Sequence, residues 1–261
     1  MFGPIRSPLT GNQRLLVPAY FRPSGTRWRD ACDAIYNSLA TATLVMNPQS
    51  GPGVAVDIEY QSAMAYCHSK RQRVIGYVST QHGARPLNQV RADIDLYYQF
   101  YPRIRGIFFD ELSNDENTKS YYRFLYTHVK AKSASARVVG NPGIPAATAW
   151  QVTPPVVADI LVVFEGPYVR ADNDPANLAQ YKDWLPPTWV STRPANIFAH
   201  LIYESPDSAT TRAVCLASFQ EKNAGWIYVT QDRRPNPWDL PPDATLIASP
   251  TLHRREPLAP S

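Results

Sequence analysis

The chain has 261 residues, 44% of them hydrophobic and 18% charged, with a formal net charge of +4. Length and apolar content argue against a disordered chain and allow one large domain with a sizeable core, or two small ones. The positive excess forms no basic block, which excludes a nucleic-acid footprint, and no apolar run approaches the ~20 residues of a membrane span.

Residues 1–14 read as an extension, without the basic stretch and apolar core that a secretory signal needs. Leu15 to Tyr20 is the first predicted strand, and Trp28 to Leu39 the first helix, with Ala31, Ile35 and Leu39 on one face. Thr43 to Asn47 is the second strand. It runs into Asn47-Pro-Gln-Ser-Gly-Pro-Gly53, a loop no helix could contain, before a helix from Asp57 to Arg71. The third strand, Arg73 to Thr80, is followed by a loop through His82 and a helix from Asn88 to Phe100. Ile104 to Asp110 is the fourth strand, and the helix from Asp115 to Lys132 begins with two acids that suit its positive end.

Arg137 to Gly140 is the fifth strand, and the prolines between Ile144 and Val157 leave room only for a short helical turn. Ile160 to Phe164 is the sixth strand, with a helix expected from Pro175 to Trp184. Asn196 to Tyr203 is the seventh strand, Ser208 to Lys222 the next helix, and Gly225 to Thr230 the eighth strand. Eight strands alternating with about seven helices predict a single-domain (β/α)8 TIM barrel over residues 15–232, its last helix missing or irregular. The alternative, an open doubly wound sheet, lacks support from any GxGxxG or Walker loop. The proline-rich tail, 233–261, is expected to wrap the surface without regular structure. The three cysteines show no metal spacing. A Cys32–Cys67 bridge is open to two of them, but buried free thiols are the favoured expectation.

In such a barrel the reacting groups gather at the C-terminal ends of the strands. Counting by twos from Gly106 through Phe108 aims Asp110 into the mouth and turns Glu111 toward the helix layer unless the strand has ended. The same count from Gly76 puts Thr80 at the rim. Glu165 ends the sixth strand, and two facing acids are what glycoside hydrolysis needs. The competing role for these acids is an ion pair with Arg105 or Arg170. Tyr20, Asn47, Tyr77, His82, Asn141, Tyr168, Tyr203 and Trp226 are the candidate substrate contacts, each equally able to serve in packing. His200, inside an apolar strand, reads as a satisfied buried histidine. No GxSxG, HxH or HExxH occurs, so neither a serine nucleophile, a metal nor a cofactor is expected.

The succession Val17-Pro-Ala-Tyr20, Met46-Asn-Pro-Gln-Ser-Gly-Pro-Gly53, Val74-Ile-Gly-Tyr-Val-Ser-Thr80, Gly106-Ile-Phe-Phe-Asp-Glu111, Asn141-Pro-Gly143 and Phe164-Glu165 resembles the spherulin-4 family, glycoside hydrolase family 135. The resemblance runs from about Leu15 to Asp232. It implies a barrel hydrolase that cleaves α-1,4-linked galactosamine polysaccharide, such as galactosaminogalactan, in exopolysaccharide and biofilm matrix. The family's acidic trio falls on Asp110, Glu111 and Glu165. An amino-sugar polymer is the implied partner, with no nucleic acid or membrane span, and a monomer is expected. Members are usually exported, so the lack of a visible signal here departs from the family. A non-catalytic polysaccharide-binding or coat-type barrel is the alternative.

Overall fold

A computed structural model describes residues 13–170, 179–248 and Leu252. Eight parallel strands, in sequence order, close into a barrel. They are β1 (Arg14–Ala19), β2 (Ala42–Met46), β3 (Arg73–Ser79), β4 (Gly106–Asp110), β5 (Arg137–Asn141), β6 (Ile160–Pro167), β7 (Phe198–Tyr203) and β8 (Trp226–Val229). The strands are almost wholly buried, as expected when one face packs inside the barrel and the other meets helices.

The outer layer contains α1 (Arg27–Asn37), α2 (Ile58–Ser69), α3 (Leu87–Phe100), α4 (Lys119–Lys132), α5 (Thr188–Ser191), α6 (Ser208–Gln220) and α7 (Ala244–Ile247). Asp57, Asp207 and Asp243 cap α2, α6 and α7 through backbone N–H groups. Asp115 instead caps a 3-10 turn, Glu116–Thr118, that leads into α4. The short turn expected between Ile144 and Val157 is a 3-10 segment, Trp150–Val152.

Two expected segments differ. Of the helix expected over 175–184, residues 175–178 lie outside the described residues, and 179–184 make only a turn, cut off by Pro186 and Pro187. The tail is not irregular throughout. It contains α7, whose Leu246 and Ile247 are buried, and Trp238 is buried as well. The apolar side chains of the tail thus join the core that the missing eighth full helix would have covered.

Glycine placement corrects one sequence count. A Cβ on Gly76 would lie 2.7 Å from the ring of Tyr97 on α3, so Gly76 faces the helices and not the barrel interior. Thr80, two pairs on, therefore also faces outward. It is fully buried, and its Oγ1 lies 2.9 Å from the Tyr122 hydroxyl on α4. Gly106 is required for another reason. Its φ is +148°, and a Cβ there would sit 1.9 Å from the Arg137 carbonyl oxygen, inside the neighbouring strand.

At the N-terminal end of the barrel, Arg14, Arg73 and Arg137 open β1, β3 and β5. The Arg137 guanidinium lies 4.5 Å from the Trp226 ring centroid and donates to Thr43 Oγ1 at 2.6 Å. Trp226 is the first residue of β8, so this candidate substrate contact lies at the end of the barrel opposite the mouth and packs its floor.

Cys32 and Cys67 form a disulfide that ties α1 to α2, against the expectation of free thiols, while Cys215 is buried and takes no part in a disulfide. Closing a loop of 35 residues stabilises the fold by about 4 kcal/mol in the chain-entropy account. We predict that the unfolded, unreduced protein alkylates at one cysteine and the reduced protein at three. Reduction should also lower the urea midpoint markedly. Three labelled cysteines without reductant would contradict the bridge.

Candidate active site

Three adjacent strands build the site. Asp110 ends β4, its register partner Asn141 ends β5, and Glu165 lies on β6. Glu165 faces inward because of an irregularity. Leu161 and Val163 pack outward with Val190 and Phe198, and Phe164 also faces out, against Tyr181 and Trp184. The register shift between Val162 and Phe164 absorbs the extra residue, so the alternation resumes with Glu165 pointing in. Without that bulge, Phe164 would take the inward place.

The Asn141 amide nitrogen donates to Asp110 Oδ1 at 2.7 Å and to Glu165 Oε2 at 2.5 Å. The two oxygens are therefore at most about 5.2 Å apart, the sum of those bonds. The orientation of the amide is fixed from its other side, where Asn141 Oδ1 accepts from Gly143 N–H at 3.0 Å. Gly143 in turn offers its carbonyl to Glu165 N–H at 2.7 Å. Tyr77 donates to Asp110 Oδ2 at 2.8 Å. A third donor group comes from the tail: Trp238 Nε1 donates to Glu165 Oε1 at 3.3 Å.

Burial pushes Asp110 up from the ordinary carboxylate range, while the hydrogen bonds from Tyr77, the Glu111 backbone and Asn141 pull it back. Glu165 is pushed up to about 7, chiefly by burial and then by the charge of Asp110, with Asn141 and Trp238 opposing. Two acids this close share their titration. Asp110 has the fuller set of donors and is the one better held as an anion. Among the described residues, no Lys or Arg forms an ion pair with Asp110, Glu111 or Glu165. Arg105 stands at the opposite end of β4 and cannot reach them.

Glu111 is exposed. The strand has ended there, with φ +52°, and Glu111 accepts from the Ser79 hydroxyl instead of entering the helix layer. Gln81 and His82 are also left-handed, and His82 N–H donates to the Glu111 carbonyl at 2.8 Å, so three strained residues frame one side of the mouth. The His82 side chain is exposed above them.

Tyr20 packs edge-on against Tyr77, with centroids 5.6 Å apart, and its hydroxyl is held well above its usual pKa, first by burial and then by Asp110. Tyr203 ends β7 and packs edge-on against Trp238. Tyr168, half-buried just past β6, donates its N–H to the Tyr203 carbonyl. Asn47 is not gathered with these groups, because its Oδ1 accepts from Gly51 N–H and stiffens its own loop. His200 is fully buried, with Nδ1 2.9 Å from the Tyr181 hydroxyl, and burial pushes its pKa down to about 3.

Trp238 is the residue sequence reasoning missed. A tryptophan in a proline-rich tail gives no periodic signal, and only the docking of Trp238 O onto Tyr20 N–H, at 3.1 Å, brings the indole to Glu165. Among the described residues, no group of three His, Cys, Asp or Glu side chains could hold a metal ion.

Replacing Asn141 with Leu should raise the titration of both carboxyls, since each loses a donor to its charged form. Trp238→Phe should raise Glu165 more than Asp110, and carboxyl 13C NMR reads both. Unchanged titrations in Asn141→Leu would contradict the shared amide. Because Glu165 holds its proton more tightly in the fold than at its ordinary 4.5, the native state binds the extra proton between about pH 4.5 and 7. Stability should therefore fall as pH rises through that window, by on the order of 3 kcal/mol, then level off. Glu165→Gln should flatten that slope in urea titrations.

The sequence pattern of the family described as Spherulation-specific family 4 matches residues 14–244. Spherulin-4 of Physarum polycephalum is 38% identical over 134 residues, which make up 50% of this chain and 39% of that protein. Thus the match spans well under half the length of that relative. The crystal structure of Aspergillus clavatus Sph3 in complex with GalNAc superposes with a TM-score of 0.73 at 25% identity, covering 92% of this chain and 98% of that one. A chitinase from Rhizomucor miehei, at 12% identity and TM-score 0.51 over 87% of this chain and 97% of its own, shares the fold alone. The match over nearly the whole barrel, with its mouth acids on the strands where the motifs had placed them, makes this chain a member of the spherulin-4 family.

Proposed function

We propose that the protein is an endo-acting glycoside hydrolase that cleaves α-1,4-linked galactosamine and N-acetylgalactosamine polysaccharide with retention of configuration. The observation that carries this reading is the single Asn141 amide holding Asp110 and Glu165 oxygens within about 5.2 Å. Retaining pairs stand about 5–5.5 Å apart, whereas inverting pairs need about 6.5–9.5 Å to admit a water. The likeness to Sph3, solved with GalNAc, supports an amino-sugar substrate.

In this mechanism Glu165, pushed up to about 7, keeps its proton near neutrality and gives it to the glycosidic oxygen as the bond breaks. Asp110 attacks the anomeric carbon and forms a glycosyl ester. Glu165, now a carboxylate, takes a proton from water, whose oxygen attacks the same carbon and releases Asp110. Tyr77 and Asn141 hold the Asp110 carboxylate for attack, and Trp238 holds Glu165. Glu111 meets the ammonium of a non-acetylated residue at the exposed rim. Tyr20, His82, Tyr168 and Tyr203 supply the remaining sugar contacts, while Asn47 and Trp226 are withdrawn from that role. The Cys32–Cys67 bridge fits an oxidising compartment and hence export, as the family resemblance implies.

Incubation with acetylated and de-N-acetylated α-1,4-galactosaminan should release oligosaccharides detectable by mass spectrometry. Asp110→Asn and Glu165→Gln should each lower kcat/KM by at least about a hundredfold while still binding polymer. Saturable binding with intact polymer would establish the non-catalytic alternative instead. The alkaline limb of the wild-type profile should fall through about pH 7, as Glu165 loses the proton it must donate.

A further inference from the structure

The end of the barrel opposite the carboxylates gathers positive charge around a cavity. Arg73 opens β3, Arg105 directly precedes β4, Arg103 lies in the turn between α3 and β4, and Arg71 lies in the turn between α2 and β3. Together with His68 and Gln72 they line a cavity of about 370 Å³, within the range of small-molecule sites. No Asp or Glu lines it. Among the described residues, none of the four arginines makes an ion pair. Arg73 donates to the Ser135 and Arg105 carbonyls, at 3.0 and 3.4 Å. Among the described residues, the side chains of Arg71, Arg103 and Arg105 have no hydrogen-bond partner.

Two buried polar atoms nearby, His68 Nε2 and Tyr98 Oη, also have no hydrogen-bond partner among the described residues. Arg105 acts electrostatically on both. Burial, followed by Arg105, Arg103 and Arg73, pushes His68 down to about 4, and burial and Arg105 lower Arg73. The cations therefore oppose one another; Asp159 attracts Arg73 but pairs with Lys130 and does not line the cavity. Cations do suit helix C-termini, and α2 and α3 both end here. That accounts for a cation at each helix end, but not for four guanidiniums around a cavity with no carboxylate.

We propose that this cavity is a binding site for a phosphate or sulfate group, gripped by the guanidiniums of Arg71, Arg73, Arg103 and Arg105, with His68 at its wall. Planar guanidinium forks match tetrahedral oxyanions, and a doubly charged anion with several acceptor oxygens engages more than one fork at once. The lining has no Phe, Tyr or Trp on which a base could stack, which disfavours single-stranded nucleic acid. The site is separate from the mouth, so an anion-bearing molecule held there leaves the carboxylates open to polysaccharide.

The test is calorimetry and histidine NMR with inorganic phosphate and inorganic sulfate, against chloride at matched ionic strength. Saturable one-site binding of either anion is expected, and the tighter of the two names the group. Anion binding should raise the His68 pKa from about 4 by at least one unit, because added negative charge favours the imidazolium. Arg103 and Arg105 are exposed, so the double variant Arg103→Gln, Arg105→Gln should keep its thermal midpoint and polymer cleavage. It should bind the anion at least tenfold more weakly. A response to phosphate and sulfate no larger than that to chloride, or one undiminished in the double variant, would overturn the proposal.

Discussion

One amide group governs the mouth of this barrel. Asn141 donates to two partly buried carboxylates at once, and its own carbonyl is pinned by Gly143, so it cannot turn away from either. Acids buried this close would repel and neutralise each other without such a donor. The shared bond requires that β4, β5 and β6 be neighbours, that Asp110 and Asn141 be register partners, and that a bulge turn Glu165 inward. A change in any of the three breaks the pairing. The Asn141-Pro-Gly143 turn thereby acquires a physical reason: the asparagine orders the acids, and the glycine two residues on fixes the asparagine.

The two ends of the barrel are electrically opposite. Helices that follow strands point their N-termini toward the mouth, where Asp110, Glu111 and Glu165 lie, and their C-termini toward the floor, where the arginines gather. Both arrangements agree with the helix dipoles, but they differ in compensation. The mouth acids are held by neutral donors, and the floor arginines by carbonyls, an aromatic ring or, among the described residues, nothing. The tail reaches the mouth, its backbone on Tyr20 and its indole on Glu165, so residues past the eighth strand belong to the working structure.

Much of this was legible in the sequence because it is periodic. Eight apolar runs alternating with amphipathic stretches predicted the closed parallel barrel, and the alternation from Gly106 aimed Asp110 into the mouth. The same counting failed from Gly76, because a glycine in a strand can face a crowded helix as readily as a crowded interior. Here the Tyr97 ring fills the space a side chain would need. Trp226 looked like a rim aromatic, but its place at the start of β8 makes it floor packing. The bulge in β6, the tail's path to Glu165 and the Cys32–Cys67 bridge depend on contacts between distant segments. No local pattern reports those.

The central claim is that Asp110 and Glu165 act as a close pair, one forming a covalent bond to the sugar and the other moving the proton. Proton NMR of the reducing ends formed in the first minutes of galactosaminan cleavage tests this most directly. The account predicts that the α-anomer appears first and then mutarotates. Initial release of the β-anomer would mean that water attacks directly, and the close pair would not be the catalytic device described here.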